Sequence, residues 1–492
     1  MKIFLNKLLK SYIFTTLCIV GQSLSAQSLP DNIDISISPN GVVPLPSTAP
    51  TAFINDGFIK YTKIQCPNGE AIHFVAQSNL TDAQIIRART ILEWYLKPVP
   101  GSQYGYDKTN VINTMGTNDA TLLLLNGFDG SSPEPNVWGQ PLFEEEIQVE
   151  GHTWYQNNDY DQHRDASFEE ILHLMHDMGI GVDGPNSISN PALPAFQTEI
   201  RAAQNNACLN NFAIWPVAAS WDPGALFWYN ELDSENSLSQ EYLASVIDSY
   251  YGLWDAWTDE PNLGMYDLYI SHNRDEIQSE DTMGWVLVQK YFAPYINVDM
   301  IIDPTFNGIF SLTFTTPTSY TSKSRYLQHC YLSGNNPSGL QGNNLYNRLK
   351  GNNENNTLEG MGGNDRLDGM GGYDTAIFSG NYSEYSITNN LDHAIVQDNT
   401  PNRDGVDTLW NINTIKFIDQ DVSIILINTS ILEEIVIDNK IKIYPNPTNK
   451  TVNICSQQED QVVVLNITGE IVNKIELNKG INTIDVSSYT NG

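Results

Sequence analysis

The chain has 492 residues, of which 58 are acidic and 25 are basic, so its formal net charge is −33 at pH 7. A surface this acidic repels phosphates, which argues against a nucleic-acid partner and favours binding of hard cations through oxygen ligands. The length is enough for two to four domains, and we expect a multidomain protein.

Residues 1–26 have the features of a secretory signal peptide. Three lysines precede a short apolar run from Ile13 to Val20, and a small-residue cleavage site ends at Ala26. The run is too short to span the hydrocarbon of a bilayer, and no later segment is long and apolar enough to do so. We therefore expect a mature chain that is secreted or peripheral to the cell surface, with no transmembrane segment.

Residues 27–330 are rich in aromatic residues and mix helical with extended patterns, which predicts an α+β domain. One helix is predicted to begin at Ser167, where Ser167 and Glu170 have the spacing of a capping box, and to run to about Gly179. Its apolar positions recur at helical spacing and are assigned to the core.

A second face of this helix carries Glu169, His173 and His176, at positions i, i+4 and i+7. Residues at this spacing can converge on one ion. Four of the eight histidines lie between His152 and His176, and this clustering favours a metal site. The alternative interpretation is a solvated polar face.

The segment EEILH, residues 169–173, resembles the zincin motif HExxH with glutamate in place of the first histidine, an EExxH variant. The resemblance implies that Glu169 and His173 bind zinc and that Glu170 is the general base. A third ligand is expected from the next acidic helix, which a capping box at Ser237–Gln240 is predicted to begin. The candidate from that helix is Glu241, which shares a face with Asp248, and His163 and His272 are equally good candidates from elsewhere in the chain.

Four cysteines remain after loss of the signal peptide, namely Cys66, Cys208, Cys330 and Cys455. They are widely spaced and include no CxxC pair, which argues against a zinc ribbon. One or two disulfides are expected in an oxidising compartment, with Cys66 paired to Cys208 or Cys330 as one option.

A nine-residue period begins at Gly342, in the blocks GNNLYNRLK, GNNENNTLE, GMGGNDRLD and GMGGYDTAI. Glycine holds the first position of every block. The sixth and eighth positions are held by Asn347, Asn356, Asp365 and Asp374, and by Leu349, Leu358, Leu367 and Ala376. The period predicts one tight turn and one short strand per block, with the eighth residue in a thin core shared by stacked neighbours.

These blocks resemble the repeats-in-toxin (hemolysin-type) calcium-binding β-roll. The resemblance implies that sixth-position side chains and turn carbonyls bind Ca²⁺, at Asp365, Asp374, Asn356, Gly362, Gly363, Gly371 and Gly372. The first two blocks depart from the pattern, because asparagine replaces aspartate at position six and Leu345 and Glu354 replace glycine at position four. We expect weak or absent calcium binding there.

The stretch from residue 374 to residue 424 is similar to the tail that often follows such rolls, and we interpret it as a β-cap over the last turn. Alternating segments such as Tyr385–Ile387 and Ile415–Ile418 predict its strands. The parallel β-roll and its cap together are expected at residues 334–427.

The last unit, residues 438–492, opens with Ile-Lys-Ile-Tyr-Pro-Asn-Pro-Thr-Asn at 441–449. It resembles the type A sorting domain of type IX secretion, which implies a small C-terminal β-sandwich and the type IX machinery as a partner. The sequence stops at Gly492, where the family continues with a final strand. We expect an incomplete sorting domain, either a truncated fragment or a defective signal.

The order of segments predicts a secreted calcium-binding protein with a zinc-dependent, peptidase-like domain that acts on a peptide or protein substrate. The expected cofactors are Ca²⁺ and, at the EExxH site, Zn²⁺. The alternative function is a non-catalytic, calcium-stabilised extracellular adhesive or structural protein.

Overall fold

The computed structural model describes residues 28–131, 135–152, 165–185, 187–254, 262–313, 325–390, 392–424, 441–444, 451–456, 460–465 and 471–487. The predicted signal peptide and His163 lie outside these residues. Among the described helices, none is both long and apolar enough to cross a membrane.

The α-helices of the described residues lie between residues 51 and 291. Their bounds are α1 Thr51–Asn55, α2 Asp82–Tyr95, α3 Thr109–Thr117, α4 Ser167–Met175, α5 Pro194–Ala207, α6 Leu209–Phe212, α7 Pro223–Glu235, α8 Leu238–Tyr250, α9 Arg274–Glu280 and α10 Thr282–Tyr291.

Strands occur before and among the first helices and again from residue 296 onward. The first group is β1 Val43–Pro44, β2 Lys60–Gln65, β3 Ala71–Ala76, β4 Thr121–Leu125 and β5 Gln140–Phe143. The second is β6 Ile296–Ile301, β7 Ile309–Ser311, β8 Leu327–Tyr331, β9 Gly339–Gln341, β10 Arg348–Lys350, β11 Thr357–Glu359, β12 Arg366–Asp368 and β13 Thr375–Ile377. The third is β14 Tyr385–Asn389, β15 Ala394–Asp398, β16 Val406–Trp410, β17 Thr414–Lys416 and β18 Asp421–Ser423, and the last is β19 Ile441–Tyr444, β20 Thr451–Ser456, β21 Asp460–Leu465, β22 Ile471–Leu477 and β23 Gly480–Asp485.

The N-terminal region is built on a five-stranded mixed sheet in the order β1-β2-β3-β4-β5, antiparallel as far as β3 and parallel from β3 to β5. Alternate residues of β4 enter two separate apolar clusters, with Leu122 and Leu124 in one and Leu123 and Leu125 in the other. Both faces of the sheet are therefore covered, which explains why β4 is a continuous apolar run rather than an alternating one.

Helix α4 is buried along its whole length and contacts α2, α8 and β5. The predicted capping box is wrong. Ala166 occupies the N-cap position without a side-chain hydrogen bond. The carboxylate of Glu170 accepts a hydrogen bond from Gln140 instead of a backbone N–H at the helix start. After Met175 the chain continues as a π turn to Ile180, so the helical path ends within one residue of the predicted Gly179.

Two parallel sheets face each other to form the roll, with strand orders β6-β8-β10-β12-β16 and β7-β9-β11-β13-β17. The predicted eighth-position residues Leu349, Leu358, Leu367 and Ala376 are all fully buried between them. The parallel stack begins at β6, upstream of the nonapeptides, so the first strands of the roll come from segments without the repeat.

Antiparallel strands close the far end of the roll. In one sheet β15 pairs with β16 and β14 pairs with β15, and in the other β18 pairs with β17. Arg403 donates to both carboxylate oxygens of Asp398, at 2.6 and 2.7 Å, and to Glu384 at 2.8 Å. The C-terminal residues are rich in strands, with β19, β20 and β23 in one antiparallel group and β21 and β22 in another.

The described cysteines Cys66, Cys208 and Cys330 are free thiols. A disulfide between Cys66 and either of the other two is therefore not formed. Cys330 is fully buried in the roll, where it pairs in register with Leu349, and burial raises the pKa of its thiol well above the usual value. It acts as a small apolar core residue.

Candidate functional site

The candidate metal centre lies where α4 meets the first turn of α8. Glu169 and His173 are one turn apart on α4, and Glu241 projects from α8. One ligand atom from each of the three lies within 4.8 Å of the other two. The predicted ligand pair and one of the three candidates for the third ligand, Glu241, therefore come together in space.

All three side chains are buried, with residue exposures of 3% for Glu169, 4% for His173 and 5% for Glu241. Burial alone lowers the pKa of His173, but Glu241 and Glu170 more than offset this and raise it to about 9. In the absence of a metal the imidazole is therefore a cation between carboxylates. A metal ion that binds here replaces that proton.

The two nitrogens of the His173 ring face different carboxylates. Nδ1 lies 3.4 Å from Glu170 Oε2, and Nε2 lies 3.7 Å from Glu241 Oε1. Nε2 is buried and has no hydrogen-bond partner among the described residues. A ring held by a carboxylate at one nitrogen, with the other directed at further oxygens, has the arrangement of a metal-binding histidine.

Glu170 is also held by Gln140 of β5, whose Nε2 donates to Glu170 Oε2 at 2.8 Å. Sequence reasoning did not find Gln140, because it lies 30 residues from Glu170 and only the packing of β5 against α4 brings them together. Glu170 thus contacts the predicted ligand His173 rather than forming a helix cap.

His176 does not join the cluster. Its Nε2 lies 2.6 Å from Gln197 Oε1 of α5, and Gln197 in turn donates to Asp183 at 2.7 Å and to Ser239 at 3.1 Å. Burial lowers the pKa of His176 to about 4. It is a neutral member of a separate hydrogen-bond network.

The remaining candidates on this side of the molecule also have other contacts. His272 lies with Nδ1 2.8 Å from the carbonyl of Leu263, and Asp248 accepts a 2.7 Å hydrogen bond from Trp254 Nε1. Neither belongs to the cluster of Glu169, His173 and Glu241.

In the roll, the sixth-position side chains lie between successive turns on the same edge. Asp365 Oδ1 accepts the backbone N–H of Asn347 at 2.7 Å, and Asp374 Oδ1 accepts that of Asn356 at 2.8 Å. The second oxygen of each carboxylate is buried and has no hydrogen-bond partner among the described residues. Burial raises the pKa of Asp365 to about 8 and that of Asp374 to about 7. Buried carboxylate oxygens without donors fit a calcium ion.

The asparagines of the first two repeats are satisfied by hydrogen bonds instead. The Asn347 amide donates to the carbonyl of Gln328 at 3.3 Å and to Asn343 Oδ1 at 3.0 Å. The Asn356 amide makes the equivalent bonds to Ser338 at 2.9 Å and Asn352 at 3.1 Å. An N–H donor thus stands where Asp365 and Asp374 present an oxygen, and the first two repeats do not fit a cation in the same way.

Two of the turn glycines have a backbone conformation that favours glycine. Gly363 and Gly372 have φ of +132° and +104°, and a Cβ on either would lie 2.5 Å from a backbone carbonyl of the preceding turn. Met361 and Met370, at the second position of their repeats, also have positive φ, of 66° and 67°. This conformation was not predicted from the sequence, because methionine rarely adopts a positive φ.

Comparison with known families agrees with this geometry. Residues 341–376 match the model of the RTX calcium-binding nonapeptide repeat, in four copies. Residues 341–376 are RTX calcium-binding repeats. Residues 442–492 match the model of the secretion-system C-terminal sorting domain, which implies interaction with the type IX secretion machinery. The protein is therefore a calcium-binding repeat protein that is secreted or displayed at the cell surface.

No curated protein sequence matches the chain. Among solved structures, the extracellular lipase LipA from Serratia marcescens matches at 13% identity and a TM-score of 0.12, over 33% of this chain and 26% of the lipase. The chain spans about a quarter of that lipase, and a TM-score this low supports no argument about the N-terminal region.

Proposed function

We propose that the N-terminal region is a zinc-dependent hydrolase of peptide bonds, with zinc held by Glu169, His173 and Glu241. The observation that carries the proposal is the convergence of these three buried ligand atoms within 4.8 Å. Two carboxylates and one imidazole are a known ligand type for zinc, and three protein ligands leave a coordination position for water or substrate. Bound zinc would polarise the scissile carbonyl and make water more acidic.

Within this proposal Glu170 accepts the proton of the attacking water. It follows the first ligand directly in sequence, as the base of an HExxH motif does. Gln140 fixes one of its oxygens at 2.8 Å, which keeps the carboxylate beside the cluster. A peptide substrate is inferred from the resemblance of EEILH to the zincin motif and from the export of the chain.

A non-catalytic role is the second candidate, and one observation favours it. Glu170 Oε2 is already engaged by Gln140 and lies 3.4 Å from His173 Nδ1, so the carboxylate has a positioning role that competes with proton transfer. In that case the metal cross-links α4 to α8, and the protein is a metal- and calcium-stabilised extracellular adhesive or structural protein.

The first test is metal content, measured by mass spectrometry on the chain from residue 27 to residue 492. Wild type is compared with a Glu169→Gln, His173→Gln variant and with a control, Glu280→Gln, His393→Gln, which removes the same groups outside the cluster. Stoichiometric zinc in wild type and control but not in the cluster variant supports the site. Equal metal in all three, or zinc in none, rejects it.

The second test separates hydrolysis from structural binding. Wild type and Glu170→Gln, both loaded with zinc, are incubated with an unfolded fluorescently labelled protein substrate. Cleavage by wild type that a chelator abolishes and Glu170→Gln lacks supports the hydrolase. Zinc binding without cleavage by wild type supports the non-catalytic role instead.

A further inference from the structure

In the repeats, the sixth-position side chain of one turn accepts a backbone N–H from the turn before it on the same edge. This ladder of hydrogen bonds continues past the fourth repeat, to a strand that belongs to the cap. The backbone N–H of Asp365 donates to Asp407 Oδ1 at 2.7 Å, as the N–H of Asn347 donates to Asp365 Oδ1 at 2.7 Å. In the same way Thr408 N–H donates to the Asp365 carbonyl at 2.8 Å, and Arg366 N–H to the Asn347 carbonyl at 2.9 Å. Asp407 therefore occupies a sixth-position site although it lies 31 residues beyond the matched repeats.

The local sequence accounts for this placement. Residues 363–367 are Gly-Asn-Asp-Arg-Leu and residues 405–409 are Gly-Val-Asp-Thr-Leu, so both fit Gly-x-Asp-x-Leu. The leucines pair directly, with Leu367 opposite Leu409 in the parallel ladder of β12 and β16. Gly405 has a positive φ of +78°, and a Cβ there would lie 1.6 Å from the Gly363 carbonyl. The segment 403–407 thus reproduces the second half of a repeat turn.

The candidate site contains two buried carboxylates, and one of their oxygens has no hydrogen-bond donor among the described residues. Asp365 is 2% exposed, and its Oδ2 has no hydrogen-bond partner among the described residues. Asp407 is 1% exposed. Backbone carbonyls also lie at the contact, since a Cβ on Gly362 would meet the Arg403 carbonyl at 3.1 Å. Buried carboxylates and carbonyls in one turn are the ligands that Ca²⁺ prefers.

We propose that Asp407 joins Asp365 in holding a calcium ion between the turn of the third repeat and the cap, so that one ligand of this site lies outside the four nonapeptides. This ion joins β16 to the roll on one edge only. On the opposite edge the equivalent hydrogen bond, from Asp374 N–H at 2.7 Å, goes to Asn413 Oδ1, which brings no second charge. A pair of carboxylates at the junction with the cap is thus present on the edge with Asp407 and not on the edge with Asn413.

The test counts calcium ions by native mass spectrometry on the full chain, residues 27–492, after equilibration with calcium chloride. Asp407→Asn keeps a side-chain oxygen that can accept the Asp365 N–H. Asparagine already has this role at the equivalent position on the other edge, Asn413. The matched control is Asp421→Asn, which removes one charge from an exposed position on β18. We expect Asp407→Asn to bind one calcium ion fewer than wild type and Asp421→Asn to bind the same number.

Equal counts in wild type and Asp407→Asn would overturn the proposal. If Asp407→Asn does not fold, Asn413→Asp in the wild-type background provides the second measurement, because it places an acid at the equivalent position beside Asp374. One additional calcium ion in that variant supports the rule that an acid on the cap strand completes a site. An unchanged count contradicts it.

Discussion

Glu170 Oε2 lies 3.4 Å from His173 Nδ1, while the other ring nitrogen of His173 lies 3.7 Å from Glu241 Oε1. The imidazole is thus held between a supporting carboxylate and a carboxylate of the metal cluster. Both carboxylates raise the pKa of His173, against the opposing effect of burial. Because Glu170 contacts His173 directly, its effect on zinc affinity and on the pKa of His173 can be measured without an activity assay.

Replacing Glu170 by glutamine should weaken zinc binding by about 10–100-fold, the usual effect of removing a partner that orients a ligand. It should also lower the pKa of His173 in the metal-free protein below about 9, because one of the groups that raises it is neutralised. Competition with a chromophoric chelator measures the affinity, and NMR titration measures the pKa. Glu145→Gln, at an exposed position outside the metal cluster, is the control. An unchanged zinc affinity in Glu170→Gln would contradict the orienting role.

The calcium-free roll should lose stability as the pH rises. Burial raises the pKa values of Asp365, Asp374 and Asp407 from 3.8 to about 8, 7 and 9. Carboxyl groups with raised folded-state pKa values stabilise the fold fully below about pH 4, and this stabilisation is lost progressively as the pH rises to the folded-state values of about 7 to 9.

Calcium should offset this loss, so the difference in melting temperature between calcium and chelator should grow from pH 5 to pH 9. Scanning calorimetry in both conditions measures that difference. A calcium-dependent gain that is constant over this range, or that shrinks as the pH rises, would rule out the buried carboxyls as its source.

Asp374→Asn should stabilise the roll in chelator and reduce its gain from calcium. Asparagine keeps an oxygen for the Asn356 N–H but removes the buried charge that only an ion compensates. Melting temperatures with and without calcium provide the measurement, with Asp421→Asn as the exposed control. The expectation fails if calcium raises the melting temperatures of Asp374→Asn and Asp421→Asn by the same amount.

Gly405→Ala should destabilise the roll by at least about 3 kcal/mol, because a positive φ and a severe steric overlap add together. The added Cβ would lie 1.6 Å from the Gly363 carbonyl, which is backbone and cannot move aside alone. Gly69→Ala is the control, since Gly69 has φ of +94° but nothing within 4 Å of the added carbon. It should cost only the backbone strain, about 1–2 kcal/mol. Chemical denaturation measures the free energy of unfolding of both variants. Equal losses of stability would show that the backbone moves to relieve the overlap between the added Cβ and the Gly363 carbonyl.

Features that depend on short-range spacing were predicted well from the sequence. The nonapeptide period gave the buried positions Leu349, Leu358 and Leu367, because one block makes one strand of a regular stack. The spacing of Glu169 and His173 on one helix gave two members of the cluster. The third ligand was left open between Glu241, His163 and His272, and the structure places Glu241 beside the other two.

Features that depend on distant partners were not predicted. Strands β6 to β9 join the roll without any repeated residue, since their register comes from stacking on β10 and β11. The capping box at Ser167 failed because Gln140 and His173 compete for the Glu170 carboxylate. His176 has the right helical spacing, but Gln197 of α5 binds its ring.

The ladder of side chains along the roll has a direction. Asn347 and Asn356 rely on Asp365 and Asp374 to accept their backbone N–H groups, and these in turn rely on Asp407 and Asn413. Each turn is therefore completed only by the next turn along the same edge of the roll, which within the repeats lies 18 residues later in sequence. A chain cut back from its C-terminal side exposes a donor at every new end, at a cost of about 1–3 kcal/mol when that donor stays buried. The stack therefore needs the cap at its C-terminal end, and the roll is stabilised in one direction, from the cap toward the first repeat.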